Sequence, residues 1–222
     1  MAKSPARGEH KEVCALEQLY AELARDCGLD VPTSECFEIN KDTTAFGVQR
    51  FDRVGGQRVA CHSLAGLLHA DFRVPDAVDY TAFLRATCVL TCDEKEVEKA
   101  FARAVFNILF HNRDDHPKNF SWCLGRDRRW RLAPAFDLTF SDGPMAQHHM
   151  DVCGQAQRIG RDHLLALAKQ GGVSDARASE TIERMLEQVT GFKSRAKAFA
   201  IRKATVDRLT QVIDACAALL RR

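Results

Sequence analysis

Three side chains in this 222-residue chain have the types and spacing to hold and move a phosphoryl group: Asp114, Asn119 and Asp137. Phosphoryl transfer needs one carboxylate to orient the attacking hydroxyl. It also needs a carboxamide and a second carboxylate on Mg2+, because the metal neutralises the phosphate oxygens. Asp114 and Asn119 lie within Arg113-Asp114-Asp115-His116-Pro117-Lys118-Asn119-Phe120-Ser121, with four residues between them, the spacing of a kinase catalytic loop. Asp137 follows Phe136 just beyond an expected strand. Lys118 is a candidate to touch the transferred group, and His116 to brace the loop. Spacing alone is weak evidence, since Asp, His, Pro, Lys and Asn are ordinary turn residues. A metal-hydrolase cluster of Asp114, Asp115 and His116 is disfavoured, because successive residues rarely converge on one ion.

The flanking pattern supplies elements to hold these groups. Asp93 can cap a helix running to about Phe110, with Val97, Ala100, Phe101, Ala104, Val105, Ile108 and Leu109 wrapping most of its surface. Such a helix belongs in the middle of a domain and would deliver the loop rigidly. Phe120 to Leu124 and Arg129 to Ala133 predict a hairpin that returns Asp137 towards Asn119. Upstream, Lys11 to Cys27 is periodic for a helix stopped by Gly28 and Val31-Pro32. Cys36 to Ile39 and Ala45 to Phe51 predict strands around Asn40-Lys41-Asp42. His62 to His69 and Tyr80 to Val89 predict short helices. Asp162 to Lys169, Ser174 to Thr190 and Phe192 to Leu220 predict longer ones. Met1 to His10 is polar and expected to be disordered.

Bulk properties exclude several classes. Hydrophobic residues make up 45 % of the chain, so it can bury a core. A net charge of +2 neither demands nor excludes a nucleic-acid partner; direct nucleic-acid binding is not expected. No apolar run reaches the ~20 residues of a membrane span, and the N-terminus has no secretory apolar core. Nine cysteines, an odd number without a CxxC motif, sit mostly among apolar residues; this predicts free thiols and a cytoplasmic location. Cys88 and Cys92 have no matching pair for zinc, and the neighbours His148-His149 diverge on most backbones. Lys193, Arg195, Lys197, Arg202, Lys203, Arg208, Arg221 and Arg222, against only Asp207 and Asp214, form a basic stripe, read either as a solvated face or as a docking surface for an acidic partner or RNA.

The run Val105 to Phe120, followed by Arg131-Leu132-Ala133-Pro134-Ala135-Phe136-Asp137-Leu138, resembles the HipA family of serine/threonine kinases, toxin members of bacterial toxin–antitoxin pairs. Glu17, Leu23-Ala24, Gly28 and Val31-Pro32 match its register too. The resemblance implies an α+β, protein-kinase-like fold. Residues 11–78 would form a remnant of the smaller lobe and hinge, and residues 79–222 a mostly helical lobe bearing the catalytic hairpin. It implies ATP and Mg2+ as cofactors, Asp114 as base and Asn119 with Asp137 as metal ligands. It implies that Glu17 pairs with a phosphate-binding Lys, and that Arg50 and Asp52 lie in the hinge facing the nucleotide base. Arg50-Phe51-Asp52-Arg53 can equally be a local turn with an ion pair. Asp115 is expected to accept Asn mildly.

Protein substrates are implied as well, with a HipB-like DNA-binding antitoxin, or a second polypeptide supplying missing strands, as partner. In the family, a Gly-rich loop and the strand bearing the ATP Lys precede the Glu17 helix. This chain has only Met1 to His10 there, with Lys3 as its sole lysine and Gly8 as its sole glycine, so Glu17 is expected to lack a lysine partner within the chain. The expectation is therefore a kinase that is weak or inactive alone, or a non-catalytic binding module.

Overall fold

The computed structural model describes residues 1–40 and 43–222. The expected turn residues Lys41 and Asp42 lie outside them. In chain order the elements are β1 (Ala2–Lys3), α1 (Glu12–Asp26), β2 (Ser34–Asn40), β3 (Thr43–Val48), β4 (Arg53–Val54), β5 (Gln57–Arg58), β6 (Cys61–Ser63), α2 (Leu64–Leu67), α3 (Tyr80–Thr91), α4 (Glu94–Leu109), β7 (Ser121–Leu124), β8 (Trp130–Leu132), α5 (Arg161–Gly171), α6 (Asp175–Thr190), α7 (Phe192–Ala196) and α8 (Lys203–Leu220).

These elements form an α+β fold whose larger part is helical. α4 is its axis. From Ala100 to Leu109 every residue is buried, and α3, α5, α6, α8 and β8 pack around it. Asp93 caps the helix by accepting from Lys95 N at 2.9 Å, and Glu94 and Glu96 suit the positive end of its dipole. Tyr20 stands edge-on to Phe106 and donates its hydroxyl to Phe110 O at 2.7 Å, which ties α1 to the end of α4. Removing a ring such as Phe106 would cost about 3–5 kcal/mol.

Three small sheets complete the fold, in the orders β1-β3-β2, β4-β5 and β6-β7-β8, all antiparallel. α1 lays Cys14 and Ala21 against Phe46 of β3. It ends where Leu29 N reaches back to Ala24 O at 2.9 Å across Gly28, whose φ of +80° is the left-handed geometry that glycine supplies without a Cβ clash.

The structure differs from the sequence expectations at four places. The N-terminal segment is not wholly loose: Ala2 and Lys3 pair with Gly47 and Phe46. Two residues are too few for any periodicity to announce a strand. β3 ends at Val48, so Arg50 to Asp52 lie beyond it. Of His62 to His69, His62 and Ser63 belong to β6 and only Leu64–Leu67 is helical. The last helix is two helices, α7 and α8, with a break at 197–202.

Candidate active site

α4 ends at Leu109, and a chain of buried polar bonds carries its rigidity into the loop that follows. Asn112 Nδ2 donates to Asn107 Oδ1 (3.0 Å), Asn107 Nδ2 donates to Tyr80 Oη (3.0 Å), and Tyr80 Oη donates to Asp115 Oδ2 (2.6 Å). Asp115 is fully buried. It also accepts from His148 Nδ1 at 2.8 Å and from His149 N at 2.7 Å. Burial alone would push its carboxyl up; His148, Tyr80 and the His149 amide outweigh that and hold it below the usual carboxylate range. The expectation that Asp115 accepts Asn mildly does not fit this geometry, because the carboxylate joins three separate segments.

Asp114 is the opposite case. Its side chain is half exposed, and His116 Nε2 lies 3.9 Å from its Oδ1. Asn119 is buried. Its backbone N–H donates to His116 O (2.9 Å) and its Nδ2 to Asp114 O (2.9 Å), a clamp that closes the loop and does not engage Oδ1. Ala65 N on Pro117 O and Leu64 N on Phe120 O fasten the loop to the start of α2. Lys118 Nζ sits 3.4 Å from the centroid of Phe72, a cation–π contact, and His116 meets Phe72 and His149 edge-on.

The β7–β8 hairpin returns the chain as expected, and Ala133 N bonds Ser121 O. Asp137 follows with φ +58°, a left-handed conformation that Asp tolerates better than most residues. Its carboxylate pairs with Lys3 Nζ, which also lies 3.0 Å from Glu17 Oε2. Glu17 therefore has a lysine partner within this chain, contrary to expectation: β1 holds Lys3 on β3 at the height of α1. Burial opposes the Lys3 charge, but Asp137 and Glu17 outweigh it and raise the ammonium pKa. Burial also raises the Glu17 carboxyl, against the pull of Lys3.

The three groups line a cavity of about 190 Å3 together with Ala21, Val31, Phe46, Val48 and Leu138. Lys3, Glu17 and Asp137 thus come together, as do Asp114, His116 and Asn119. Among the described residues no hydrogen bond joins Asn119 to Asp137.

The family description "HipA-like C-terminal domain" matches residues 1–192. The chain belongs to the HipA-like C-terminal domain family. No curated protein matches it. Among solved structures it is similar to HipA of Shewanella oneidensis MR-1, from a toxin–antitoxin complex of HipA, HipB and operator DNA. The TM-score is 0.74 at 15 % identity, over 95 % of this chain and 55 % of that one. The chain thus spans about half the length of that HipA. It is also similar to CtkA, a proinflammatory kinase of Helicobacter pylori, with a TM-score of 0.63 at 12 % identity over 99 % of this chain and 87 % of that one. The fold of this HipA-like domain is kinase-like.

Among the described residues Arg50 and Asp52 make no hydrogen bond or ion pair to the cluster and instead engage each other. Arg50 Nε donates to Asp52 Oδ1 at 2.7 Å, and Arg53 Nη1 to Asp52 Oδ2 at 2.7 Å, so the local turn and ion pair is what the HipA-like domain builds here. The Arg50 hydrogen bond holds the Asp52 carboxyl down. Phe51 lies 5.3 Å from Phe136, which sets this turn against the residue before Asp137. The basic stripe is largely consumed by ion pairs: Lys193 and Lys203 with Asp207, Arg195 with Asp26, Arg202 with Glu12 and Arg208 with Asp142.

Sequence reasoning passed over Lys3, Tyr80 and the role of His148. Lys3 was visible as a lysine ahead of the Glu17 helix. Tyr80 and His148 carried no spacing signal, because their partner lies 35 and 33 residues away.

Proposed function

We propose that this HipA-like domain is a Mg2+-dependent serine/threonine protein kinase that transfers the ATP γ-phosphate to a protein hydroxyl. The observation that carries the reading is Lys3 bridging Glu17 and Asp137 in a chain that also holds the Asp114–Asn119 loop. One of the two phosphate contacts expected to be missing, the strand lysine, is therefore assigned to Lys3. The donor set fits the cofactors. Asn119 Oδ1 and the Asp137 carboxylate are hard oxygen ligands of the kind Mg2+ takes. The cavity beside Asp137 is lined by apolar side chains, which would suit a base, and by Lys3, Glu17 and Asp137, which would suit phosphates and their metal.

Bound there, Mg2+ supplies charge neutralisation of the phosphate oxygens. Asn119 and Asp137 would hold it. Lys3, steered by Glu17, would give up Asp137 and place its ammonium on the phosphates. Asp114, exposed at the loop tip, would orient the incoming hydroxyl and take its proton late in the transfer. Its exposure suits a group that must meet a macromolecular substrate, while Asp115 keeps the loop from moving. His116 braces Asp114. Lys118, held over Phe72, would reach the transferred phosphoryl group only by leaving that ring. A HipB-like antitoxin is the proposed partner, on the strength of the Shewanella HipA complex.

The purified chain, given labelled ATP, Mg2+ and a generic protein substrate, should transfer label. Asp114→Asn and Asp137→Asn should each lower transfer by about 10²-fold or more with folding intact. Transfer unaffected by either substitution would refute the assignment. Absence of transfer by the chain, alone and with a HipB-like partner, would favour the binding-module reading.

A further inference from the structure

Away from the phosphate cluster, two thiols face each other across adjacent strands. Cys61 of β6 stands directly opposite Cys123 of β7, and their sulfurs are 2.7 Å apart. Leu124 N bonds Ala60 O and Leu64 N bonds Phe120 O, which makes residues 60 and 124, and 64 and 120, hydrogen-bonded pairs. Counting along the ladder, Cys61 and Cys123 occupy a non-hydrogen-bonded position. There the Cα atoms of antiparallel strands approach to about 4.5 Å, inside the window a disulfide needs. Cys61 is exposed and Cys123 half-buried, so an oxidant meets Cys61 first.

We infer that Cys61 and Cys123 are a modification site: a dithiol that low-molecular-weight disulfides of the glutathione class convert to a cross-strand disulfide. The Cys61 thiolate attacks one sulfur of the oxidant, forming a mixed disulfide and expelling one thiolate, which takes up a proton. The Cys123 sulfur then attacks the Cys61 sulfur and expels the second. Two thiols lose two electrons and two protons, and one oxidant molecule becomes two thiols. Burial, then the neighbouring Cys61 thiol and the Asp52 carboxylate, push the Cys123 thiol up. A thiol held protonated is the poorer first nucleophile, so the exposed Cys61 is the one that attacks the oxidant, and Cys123 follows because it is held against the Cys61 sulfur.

The position gives the bond a consequence. β6 follows the Arg50–Arg53 turn, and β7 begins two residues after Asn119 and pairs with β8, which leads to Asp137. A bond between residues 62 positions apart would clamp the exit of that turn to the exit of the Asp114–Asn119 loop. This inference does not depend on the kinase reading.

The test is to equilibrate the purified chain in defined ratios of oxidised to reduced glutathione. Two of its nine thiols should disappear, with an intact-mass loss of about 2 Da. Peptide mapping should show Cys61 joined to Cys123. The oxidised chain should melt about 5–15 °C above the reduced one. Cys61→Ser and Cys123→Ser should each abolish both the mass loss and the shift. Nine thiols retained, a bond through another pair, or glutathione left attached at Cys61 would overturn the inference. So would oxidation that leaves the melting temperature unchanged, since the strands would then not be clamped.

Discussion

Replacing Asp115 tests whether the loop is held from beneath or only by its own turn. The carboxylate accepts three hydrogen bonds with no solvent contact, from Tyr80 Oη, His148 Nδ1 and His149 N. Asn at this position keeps one oxygen, enough for the His149 amide, but turns an N–H2 towards two groups that now donate. Tyr80 and His148 could each rotate or change tautomer to accept, so the loss is partial. Charge-assisted hydrogen bonds are worth roughly 1.5–3 kcal/mol each, and breaking a buried polar pair costs roughly 3–5 kcal/mol. We expect Asp115→Asn to lose about 2–3 kcal/mol and Asp115→Ala about 3–5 kcal/mol. For a domain of this size the Asn variant should then melt about 4–10 °C lower. Urea unfolding at neutral pH, with unchanged slope, measures the same loss. The control is the adjacent, half-exposed Asp114, where Asn should change stability by no more than about 0.5 kcal/mol. Equal stabilities for Asp115→Asn and the wild-type chain, or an equal loss at Asp114, would refute the assignment of separate roles to these neighbours.

Lys3→Met removes the ammonium between Glu17 and Asp137; Mg2+-nucleotide affinity, read by fluorescence titration, should fall about tenfold or more and phosphotransfer about 10²–10³-fold. Unchanged binding would move the phosphate contact elsewhere. Glu12 is buried and pairs with Arg202; burial opposes its charge, but Arg202 and Thr205 bring its carboxyl from 4.5 down to about 2. A depressed carboxyl stabilises the fold above the unfolded value, so this contribution, about 3 kcal/mol at most, should be lost between pH 4.5 and 2, and Glu12→Gln should flatten the acid limb of stability against pH. Gly28→Ala forces a Cβ into a left-handed position at the end of α1 and should cost about 1 kcal/mol in chemical denaturation, since the space itself is open to ordinary contact with Arg184.

The helical lobe was legible because its signals are local. The apolar wrap of Val97 to Leu109, the Asp93 cap and the Gly28 stop each act within a few residues, and each appears in the structure where the pattern put it. The hairpin that carries Asp137 was legible for the same reason. The uninterrupted helix from Phe192 was misread because Lys197 to Arg202 keeps helical composition. What breaks it is the docking of Arg202 on Glu12, a contact across 190 residues that no local pattern encodes. Lys3 was discounted because a two-residue strand has no period, and because its meaning depends on Glu17 and Asp137 arriving from elsewhere. The basic stripe read as a surface field only while its acidic partners, Asp26, Glu12 and Asp142, were out of view.

Asp114 and Asp115 show why a loop motif needs both its sequence and its setting. As residue types they are interchangeable, and spacing to Asn119 differs by one. The fold separates them: a side chain one position further along turns to the opposite side of the loop. On one side Asp115 meets Tyr80 of α3 and the His148-His149 segment, which together donate three hydrogen bonds to it. A carboxylate so engaged and shut off from solvent is out of reach of a substrate hydroxyl. On the other side, among the described residues, the Asp114 carboxylate has His116 at 3.9 Å and accepts no hydrogen bond, so it retains its accepting capacity. Asn119 then ties the two sides together, because its side-chain amide closes on the backbone of Asp114 and fixes the direction in which that carboxylate leaves the loop. In the kinase reading proposed above, the role of Asp114 would depend on immobility at Asp115, and a substitution beneath the loop should lower transfer by releasing the backbone rather than by touching the substrate.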